Sequence, residues 1–256
     1  MFNTLREAYY VAWSDLRFMR HNILNVVVMS LMSPILYLVA FGYGLGDGTF
    51  IEYNGQEIKY IAFMIPGIVA LSTLSSSFSS TSTRINVQRL YYRSFDEMLM
   101  CPLGYASIVL GKSVLGMIRG LISSIVIFTI GIFLDVGLVI SVQFFLVVWL
   151  ACFTFACLGE TAALLAKSHQ SMALFNSLVI LPMTFLCGTF FRTDKLPDFF
   201  QWILYVIPLT HVSDVVRATA LGVSFSTNLW ISLCVICAFA MAFFMLNIYL
   251  IKNRRV

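Results

Sequence analysis

Charged residues are scarce in this sequence, and their scarcity excludes a soluble globular domain. Only 11% of the 256 residues are Asp, Glu, Lys or Arg, whereas 60% are hydrophobic. A soluble fold keeps roughly a quarter of its residues charged, because its surface must present polar groups to water. A lipid bilayer solvates the apolar excess, so the composition predicts an all-α protein embedded in a membrane.

Residues for catalysis or metal binding are also sparse. The three histidines lie in separate connections, and none has a partner at ligand spacing. Leu110–Ser113 reads LGKS, like the end of a phosphate-binding loop, but Ala106 stands where that motif needs its first glycine. No serine lies in a glycine-flanked nucleophile motif. We therefore predict no catalytic residue, no metal site and no cofactor bound by this chain.

Long apolar runs dominate instead, and they predict six membrane-spanning helices, at about residues 23–44, 60–81, 106–133, 142–165, 172–190 and 229–251. Residues 1–22 are amphipathic and too polar to span, so we expect a surface helix there. Residues 191–222 are broken by prolines and fit a re-entrant or interfacial helical segment. No internal repeat is visible, so residues 1–256 form one membrane domain.

The distribution of Lys and Arg predicts the orientation. Eleven of them fall on the side that holds both termini and the connection at residues 84–105, and four fall on the other side. By the positive-inside rule, both termini are cytoplasmic. The expected location is the inner membrane of a prokaryote.

Two charges fall at membrane depth. Arg119 lies seven residues into the third span from Lys112, and Glu160 lies seven residues before Lys167 on the fourth. Because intramembrane charges are usually paired, we predict an Arg119–Glu160 ion pair. The pair fits either a structural clamp or a gate that contacts substrate.

The second span is rich in hydroxyl groups between Ser72 and Thr83. Ser and Thr allow membrane helices to pack closely, and they can equally line a polar path. Both interpretations remain open from the sequence.

The connection at residues 84–105 contains a short amphipathic helix. Ser94 has Glu97 three residues later, the spacing of a capping box. The apolar side chains Phe95, Met98 and Leu99 stand beside Asp96 and Glu97, and Pro102 breaks the pattern. Such a helix can dock into a groove on a soluble partner or lie on the membrane.

These residues together resemble the membrane permeases of type-2 ABC exporters, a group that includes nodulation-factor, drug and polysaccharide export permeases. The segment SFDEMLMCPLGYASIVLGK is similar to the loop of that family, and GTFFRTDKLPDFFQWILYVIPLTHVSDVVRA is similar to its C-terminal signature. The signature residues that match in spacing are Gly188, Pro208, His211 and Arg217.

The resemblance implies that two permease copies pair, as a homodimer, above two separate ABC ATPase subunits that hold ATP and Mg. Ser94–Cys101 would then be the coupling helix, with Phe95, Asp96, Glu97, Met98, Leu99 and Pro102 as coupling residues. The first, second and fifth spans of the family meet near the dimer axis, which makes Ser76, Ser80, Asn176 and Phe185 candidate path residues.

The resemblance implies export of an amphipathic drug, lipid or glycolipid across the membrane, without nucleic acid. A polysaccharide exporter is the alternative. An integral membrane enzyme acting on lipids and a non-catalytic assembly factor are further readings with less support.

Overall fold

The computed structural model describes residues 2–21, 23–43, 50–53, 56–134, 137–189, 204–222 and 227–254, and most of these residues are helical. The first helices are α1 (Phe2–His21), α2 (Ile23–Tyr37, continued by a π-helical turn at Leu38–Tyr43), α3 (Tyr60–Leu90), α4 (Ser94–Met100) and α5 (Tyr105–Phe133). They are followed by α6 (Val142–Leu165), α7 (His169–Phe175, continued by a π-helical turn at Asn176–Ile180), α8 (Leu181–Leu186), α9 (Pro208–Ala220) and α10 (Thr227–Arg254).

Four helices are long and apolar enough to cross a membrane. They are α3, α5, α6 and the part of α10 at Asn228–Arg254. Their positions match the second, third, fourth and sixth predicted spans. A multi-pass helical membrane protein is therefore confirmed.

The first and fifth predicted spans coincide with interrupted helices. The first is α2, which contains Pro34 and continues into its π-helical turn. The fifth is the run from α7 to α8, broken by the π-helical turn at Asn176–Ile180. Proline removes a backbone donor and a π turn shifts the hydrogen-bonding register, so both features bend or widen a helix.

The long helix α3 lies at the centre of the bundle. Met64, Ile65, Ile68 and Leu74 are fully buried there and belong to the main apolar core, which α5, α6, α9 and α10 complete. At 1.5 Å per residue its 31 residues extend about 46 Å, well beyond a hydrocarbon core of about 30 Å. The predicted connection at residues 84–105 is therefore corrected, because its first seven residues continue α3.

The bundle has two distinct ends. At the α4 end, α4 packs on the termini of α6 and α10, where Phe95 lies in one cluster with Leu164 and Ile251. At the α9 end, the Val139 N–H in the α5–α6 connection donates to the Ala220 carbonyl at 2.8 Å.

Two short strands, β1 (Phe50–Tyr53) and β2 (Gln56–Lys59), pair antiparallel just before α3. The sequence predicted only a polar connection there. Of the predicted re-entrant segment, residues 191–203 lie outside the described residues. The remainder contains α9, whose residues are almost all buried.

Candidate functional site

The short helix α4 turns its apolar face toward its own chain. Phe95 is 1% exposed and Leu99 is 7% exposed, and both pack against α3, α5, α6 and α10. The sequence left open whether this face docks into a soluble partner or lies on the membrane, and the structure packs it against the chain's own helices instead. The chain's own helices supply enough apolar surface to cover it.

The opposite side of α4 is exposed, together with the turn before it. Asp96 and Glu97 are exposed, and Met100 is the most exposed large apolar side chain of α4, at 86%. Tyr91 and Tyr92 are exposed and meet edge to face with ring centroids 5.0 Å apart. We call Tyr91, Tyr92, Asp96, Glu97 and Met100 the α4 surface.

Ser94 does not cap α4. The cap position is Arg93, which takes a left-handed conformation with φ of 55°, and no side chain caps the helix. The Asp96 N–H bonds to the Arg93 carbonyl at 3.0 Å. The predicted capping box is therefore wrong by one position, because the sharp turn after α3 places Ser94 inside the helix.

The surface helix α1 is tied to the connection between α4 and α5. The Glu7 carboxylate accepts hydrogen bonds from the Gly104 N–H at 3.0 Å and the Ser107 hydroxyl at 2.7 Å. These two donors stabilise the ionised form and hold the pKa of Glu7 below its ordinary value. The Glu7 carboxylate thus fastens α1 to the segment that follows α4.

A second tie lies further along α1. Asp15 is 1% exposed, and its carboxylate accepts from Arg84 Nε at 2.8 Å, Gln88 Nε2 at 3.0 Å and Lys112 Nζ at 2.8 Å. Lys112 Nζ also donates to Gln88 Oε1 at 2.7 Å. One carboxylate thus joins α1, α3 and α5. The sequence analysis missed this cluster, although the buried stripe at Ala8, Val11, Ala12 and Asp15 has helical spacing.

The predicted Arg119–Glu160 ion pair is not formed. Arg119 Nη2 lies 3.5 Å from the Ser30 hydroxyl on α2. Both carboxylate oxygens of Glu160 are buried without a hydrogen-bond partner among the described residues. The two helices are adjacent as predicted, but their rotation turns the two side chains away from each other.

Most of the hydroxyl stretch in α3 serves packing. Gly116 and Gly120 of α5 face Ser77, and a Cβ atom added at Gly116 would lie 2.6 Å from the Ser77 carbonyl oxygen. Similarly, a Cβ at Gly159 of α6 would lie 2.6 Å from the Phe78 carbonyl oxygen. Small side chains on both sides let the three helices approach closely.

Three other hydroxyl residues of the stretch line a cleft of about 250 Å³ between α3 and α7. Its polar lining consists of Ser79, Ser82, Thr83, Asn86, His169 and Asn176, and Phe78, Val87, Met172 and Ala173 complete the walls. Asn86 Nδ2 lies 3.4 Å from His169 Nδ1. Neither Asn86 nor His169 was selected from the sequence, because neither stands in a recognisable motif.

The four candidate path residues do not converge on this cleft. Asn176 lines it, whereas Ser80 lines a different cleft beside α1. Ser76 is 5% exposed and accepts at its carbonyl from the Ser80 hydroxyl. Phe185 is 50% exposed on α8. The hydroxyl stretch thus contacts α5 on one face and lines clefts on others.

The signature residues near the C-terminus hold α9 in place. Arg217 donates from Nε to the Phe63 carbonyl at 3.2 Å and from Nη2 to the Gly188 carbonyl at 3.1 Å. The His211 ring nitrogens lie 2.9 Å from the Tyr205 carbonyl and 3.1 Å from the Ser232 hydroxyl. Pro208 begins α9. These contacts hold α9 against its neighbours, and Gly188 is the one other signature residue to which Arg217 bonds among the described residues.

Comparison with known proteins identifies related sequences over almost the whole chain. The family model described as ABC-2 type transporter matches residues 8–221. Nodulation protein J of Rhizobium meliloti (strain 1021) is 28% identical over 249 residues, which cover 96% of this chain and 90% of the relative. Inner membrane transport permease YadH of Escherichia coli (strain K12) is 25% identical over 240 residues, which cover 92% of each chain.

Proposed function

The chain belongs to the ABC-2 type transporter family, and from this membership we propose that it is the membrane-spanning permease subunit of an ATP-driven exporter. A separate ABC ATPase, in two copies, supplies the ATP and Mg chemistry. A second copy of the permease completes the membrane unit.

The observation that carries this proposal is the two-sided structure of α4. Its inner side, with Phe95 and Leu99, is anchored in the chain's own core, and its outer side presents Met100 and the adjacent Tyr91 and Tyr92. Exposed aromatic and Met side chains at a polar rim are typical of protein interfaces. A force applied to the α4 surface is passed to α5, α6 and α10 through Phe95 and Leu99.

Six spans with both termini in the cytoplasm are part of the proposal. The two interrupted helical runs, α2 with its π turn and α7 to α8, extend about 30 and 27 Å at 1.5 Å per residue. Those lengths are close to the hydrocarbon thickness. The α4 end also holds most of the Lys and Arg residues, which the positive-inside rule places in the cytoplasm.

The cleft between α3 and α7 supports a cargo with a hydroxyl-bearing head. Its polar lining offers hydroxyl, amide and imidazole groups and contains no Asp, Glu, Lys or Arg. Exposed apolar side chains on α7, its π-helical turn and α8, including Leu174, Leu178 and Phe185, provide a face for the second permease copy. A lipid or glycolipid fits this combination, with the acyl part in the bilayer.

A polysaccharide exporter is the second candidate. It is favoured by the stack of Phe78 and Phe175, whose ring centroids lie 6.0 Å apart. Phe78 itself lines the cleft, and sugar rings pack well on aromatic faces.

The test is co-purification of the chain with its cognate ABC ATPase, followed by measurement of MgATP hydrolysis by the complex in proteoliposomes. We expect Tyr91→Ala with Met100→Ala to weaken ATPase binding about tenfold or more, since central interface anchors cost over 1 kcal/mol when truncated. The matched control is Tyr10→Ala with Phe133→Ala, which removes two large side chains that are also more than half exposed but lie outside the α4 surface. Equal ATPase binding by both double variants would contradict the assignment of the α4 surface.

The cargo is tested separately with the same complex. A glycolipid that stimulates MgATP hydrolysis in the wild type, and less so after Asn86→Leu with Ser82→Ala, supports the cleft as its site. Stimulation by long polysaccharide chains but not by glycolipid would favour the second candidate.

A further inference from the structure

A second cleft, of about 170 Å³, opens between the end of α1 and the helices α3 and α5. Its walls are formed by Phe18, Met19, Ser80, Thr83, Arg84, Val87, Leu115 and Arg119. We call it the α1 cleft. A water molecule occupies about 30 Å³, so the α1 cleft has the volume of five or six waters. That volume holds a lipid headgroup but not a whole lipid.

The lining of the α1 cleft contains two guanidinium groups, from Arg84 and Arg119, and no carboxylate. Outside the lining, Asp15 accepts from Arg84 Nε at 2.8 Å. Asp15 is shared with Lys112, whose Nζ lies 2.8 Å from its other oxygen. Arg84 thus shares the Asp15 carboxylate with Lys112, and Arg119 forms no ion pair with the described residues, so the cleft carries an excess of positive charge.

Arg119 has little compensation from the described part of the chain. Its one hydrogen bond there is the long contact of Nη2 to the Ser30 hydroxyl, 3.5 Å, and its Nε atom is buried without a partner. A buried donor without an acceptor destabilises the protein, and more so when the donor is charged. An anion in the cleft supplies the missing acceptors.

The apolar walls of the α1 cleft and the aromatic side chains nearby favour binding of an amphiphile over binding of a free anion. Phe18, Met19, Val87 and Leu115 give the cleft largely apolar walls, and Phe18 is 51% exposed beside the opening. The exposed side of α1 carries Tyr9, Tyr10 and Trp13, the residues that concentrate at membrane interfaces. On α5, side chains lean toward the helix N-terminus, so Arg119 reaches back toward the α4 end and the interface.

We propose that the α1 cleft binds the phosphate headgroup of an anionic phospholipid from the surrounding leaflet. The planar guanidinium groups of Arg84 and Arg119 match phosphate oxygens as charge-assisted donors. The lipid backbone lies along Phe18, Met19 and Leu115, and its acyl chains remain in the bilayer. The bound lipid fastens α1 to α3 and α5 independently of any cargo.

The experiment is native mass spectrometry of the purified full chain in detergent, titrated with dioctanoyl phosphatidylglycerol, dioctanoyl phosphatidylcholine or inorganic phosphate. We expect phosphatidylglycerol to bind about tenfold more tightly than phosphatidylcholine, because both lipids carry the phosphate but the quaternary ammonium of phosphatidylcholine is repelled by the positive charge of the cleft. Arg119→Gln is expected to reduce this preference to below about twofold. Arg119→Lys keeps the positive charge but loses the planar guanidinium that can donate two parallel hydrogen bonds, so we expect an intermediate preference.

The matched control is Lys252→Gln, which removes one exposed positive charge at the same end of the molecule but outside the α1 cleft. It is expected to leave the preference unchanged. Three results would overturn the proposal: equal binding of the two lipids by the wild type, an unchanged preference in Arg119→Gln, or an equal loss in Lys252→Gln. Full displacement of the lipid by millimolar inorganic phosphate would also overturn it, because the site would then recognise a free anion.

Discussion

Asp15 and Lys112, which are 97 residues apart in the sequence, form a buried ion pair in which Lys112 Nζ lies 2.8 Å from Asp15 Oδ2. The side chains are 1% and 3% exposed. Arg84 and Gln88 bond to the same carboxylate. The pair fixes the position of α1 against α3 and α5. Because both charges are buried, a substitution that removes only one of them is expected to destabilise the protein.

Asp15→Leu is expected to destabilise the protein by about 3–5 kcal/mol, because it leaves the buried Lys112 without its carboxylate. The measurement is the midpoint of thermal unfolding in detergent, followed by tryptophan fluorescence. Asp15→Leu combined with Lys112→Met should recover much of the loss, since it removes both buried charges.

The control for that series is Asp214→Asn. Asp214 lies 3.6 Å from Arg217, whose side chain is 4% exposed, but the side chain of Asp214 is 43% exposed. Water therefore reaches this carboxylate, and Asp214→Asn is expected to cost less than the loss of the fully buried Asp15–Lys112 pair. If Asp15→Leu with Lys112→Met unfolds at the same midpoint as Asp15→Leu alone, the unpaired charge of Lys112 is not the cause of the destabilisation.

Two arginines close the C-terminal end of α6, and a second prediction rests on them. Arg89 donates to the carbonyls of Ala163, Leu164 and Ala166, and Arg254 Nη2 donates to the Leu164 carbonyl at 2.6 Å. Cations there also complement the helix dipole. Arg89→Met is expected to cost about 2–3 kcal/mol, because charge-assisted bonds and buried carbonyls are lost together.

The neighbouring Lys252→Met is the control for Arg89→Met, because Lys252 is exposed at the same end. Unfolding midpoints of the two variants are compared in the same detergent. If Lys252→Met lowers the unfolding midpoint as much as Arg89→Met does, the cause is the loss of a positive charge at this end of the molecule and not the loss of hydrogen bonds to the α6 carbonyls.

Much of the membrane architecture could be predicted from the sequence because hydropathy is a property of each segment alone. The four long spanning helices stand where apolar runs of about 20 residues or more predict them. The end of α3 at Leu90 was not predictable in this way. It depends on Arg89 reaching the carbonyls of α6, a contact between residues more than 70 positions apart.

The direction in which a side chain faces was the main limit on predicting the site. From the sequence, the apolar stripe of α4 fits a partner's groove and the chain's own core equally well. In the structure Phe95 and Leu99 are buried, so the stripe packs in the core. Likewise, Arg119 and Glu160 lie on adjacent helices as expected, but Arg119 lies beside Ser30 of α2. Helix rotation is set by neighbours that one sequence does not identify.

Close packing of α3 and α6 gives a third prediction. A Cβ atom at Gly159 would lie 2.6 Å from the Phe78 carbonyl oxygen and 3.1 Å from Phe78 Cα. These are backbone atoms, so Gly159→Ala must separate the two helices, at a cost of about 1–3 kcal/mol. The unfolding midpoint measures it.

Gly137→Ala is the comparison for Gly159→Ala, because nothing lies within 4 Å of the added atom and only its φ of +75° opposes the change. Its cost is expected to be about 1 kcal/mol. If Gly159→Ala is as stable as the wild type, the contact between α3 and α6 is looser than the structure indicates.

The tie between Glu7 and the start of α5 makes the docking of α1 sensitive to acid. Hydrogen bonds from Gly104 N–H and the Ser107 hydroxyl lower the pKa of Glu7 from its ordinary value of 4.5. A carboxylate with a lowered folded-state pKa contributes stability that is fully present above its unfolded-state pKa. That contribution disappears as the pH falls through the lowered value.

We therefore expect amide hydrogen exchange in α1 of the wild type to accelerate as the pH falls from 5 to 3, after correction for the intrinsic pH dependence of exchange. We expect Glu7→Gln to show fast exchange in α1 throughout this range. The Gln side chain keeps an acceptor but loses the charge that strengthens both bonds. Glu57→Gln, which changes an exposed carboxylate at the α9 end, should retain the wild-type profile. Identical profiles for the wild type and Glu7→Gln would show that α1 is held by the Asp15 cluster alone, because that cluster is untouched in both.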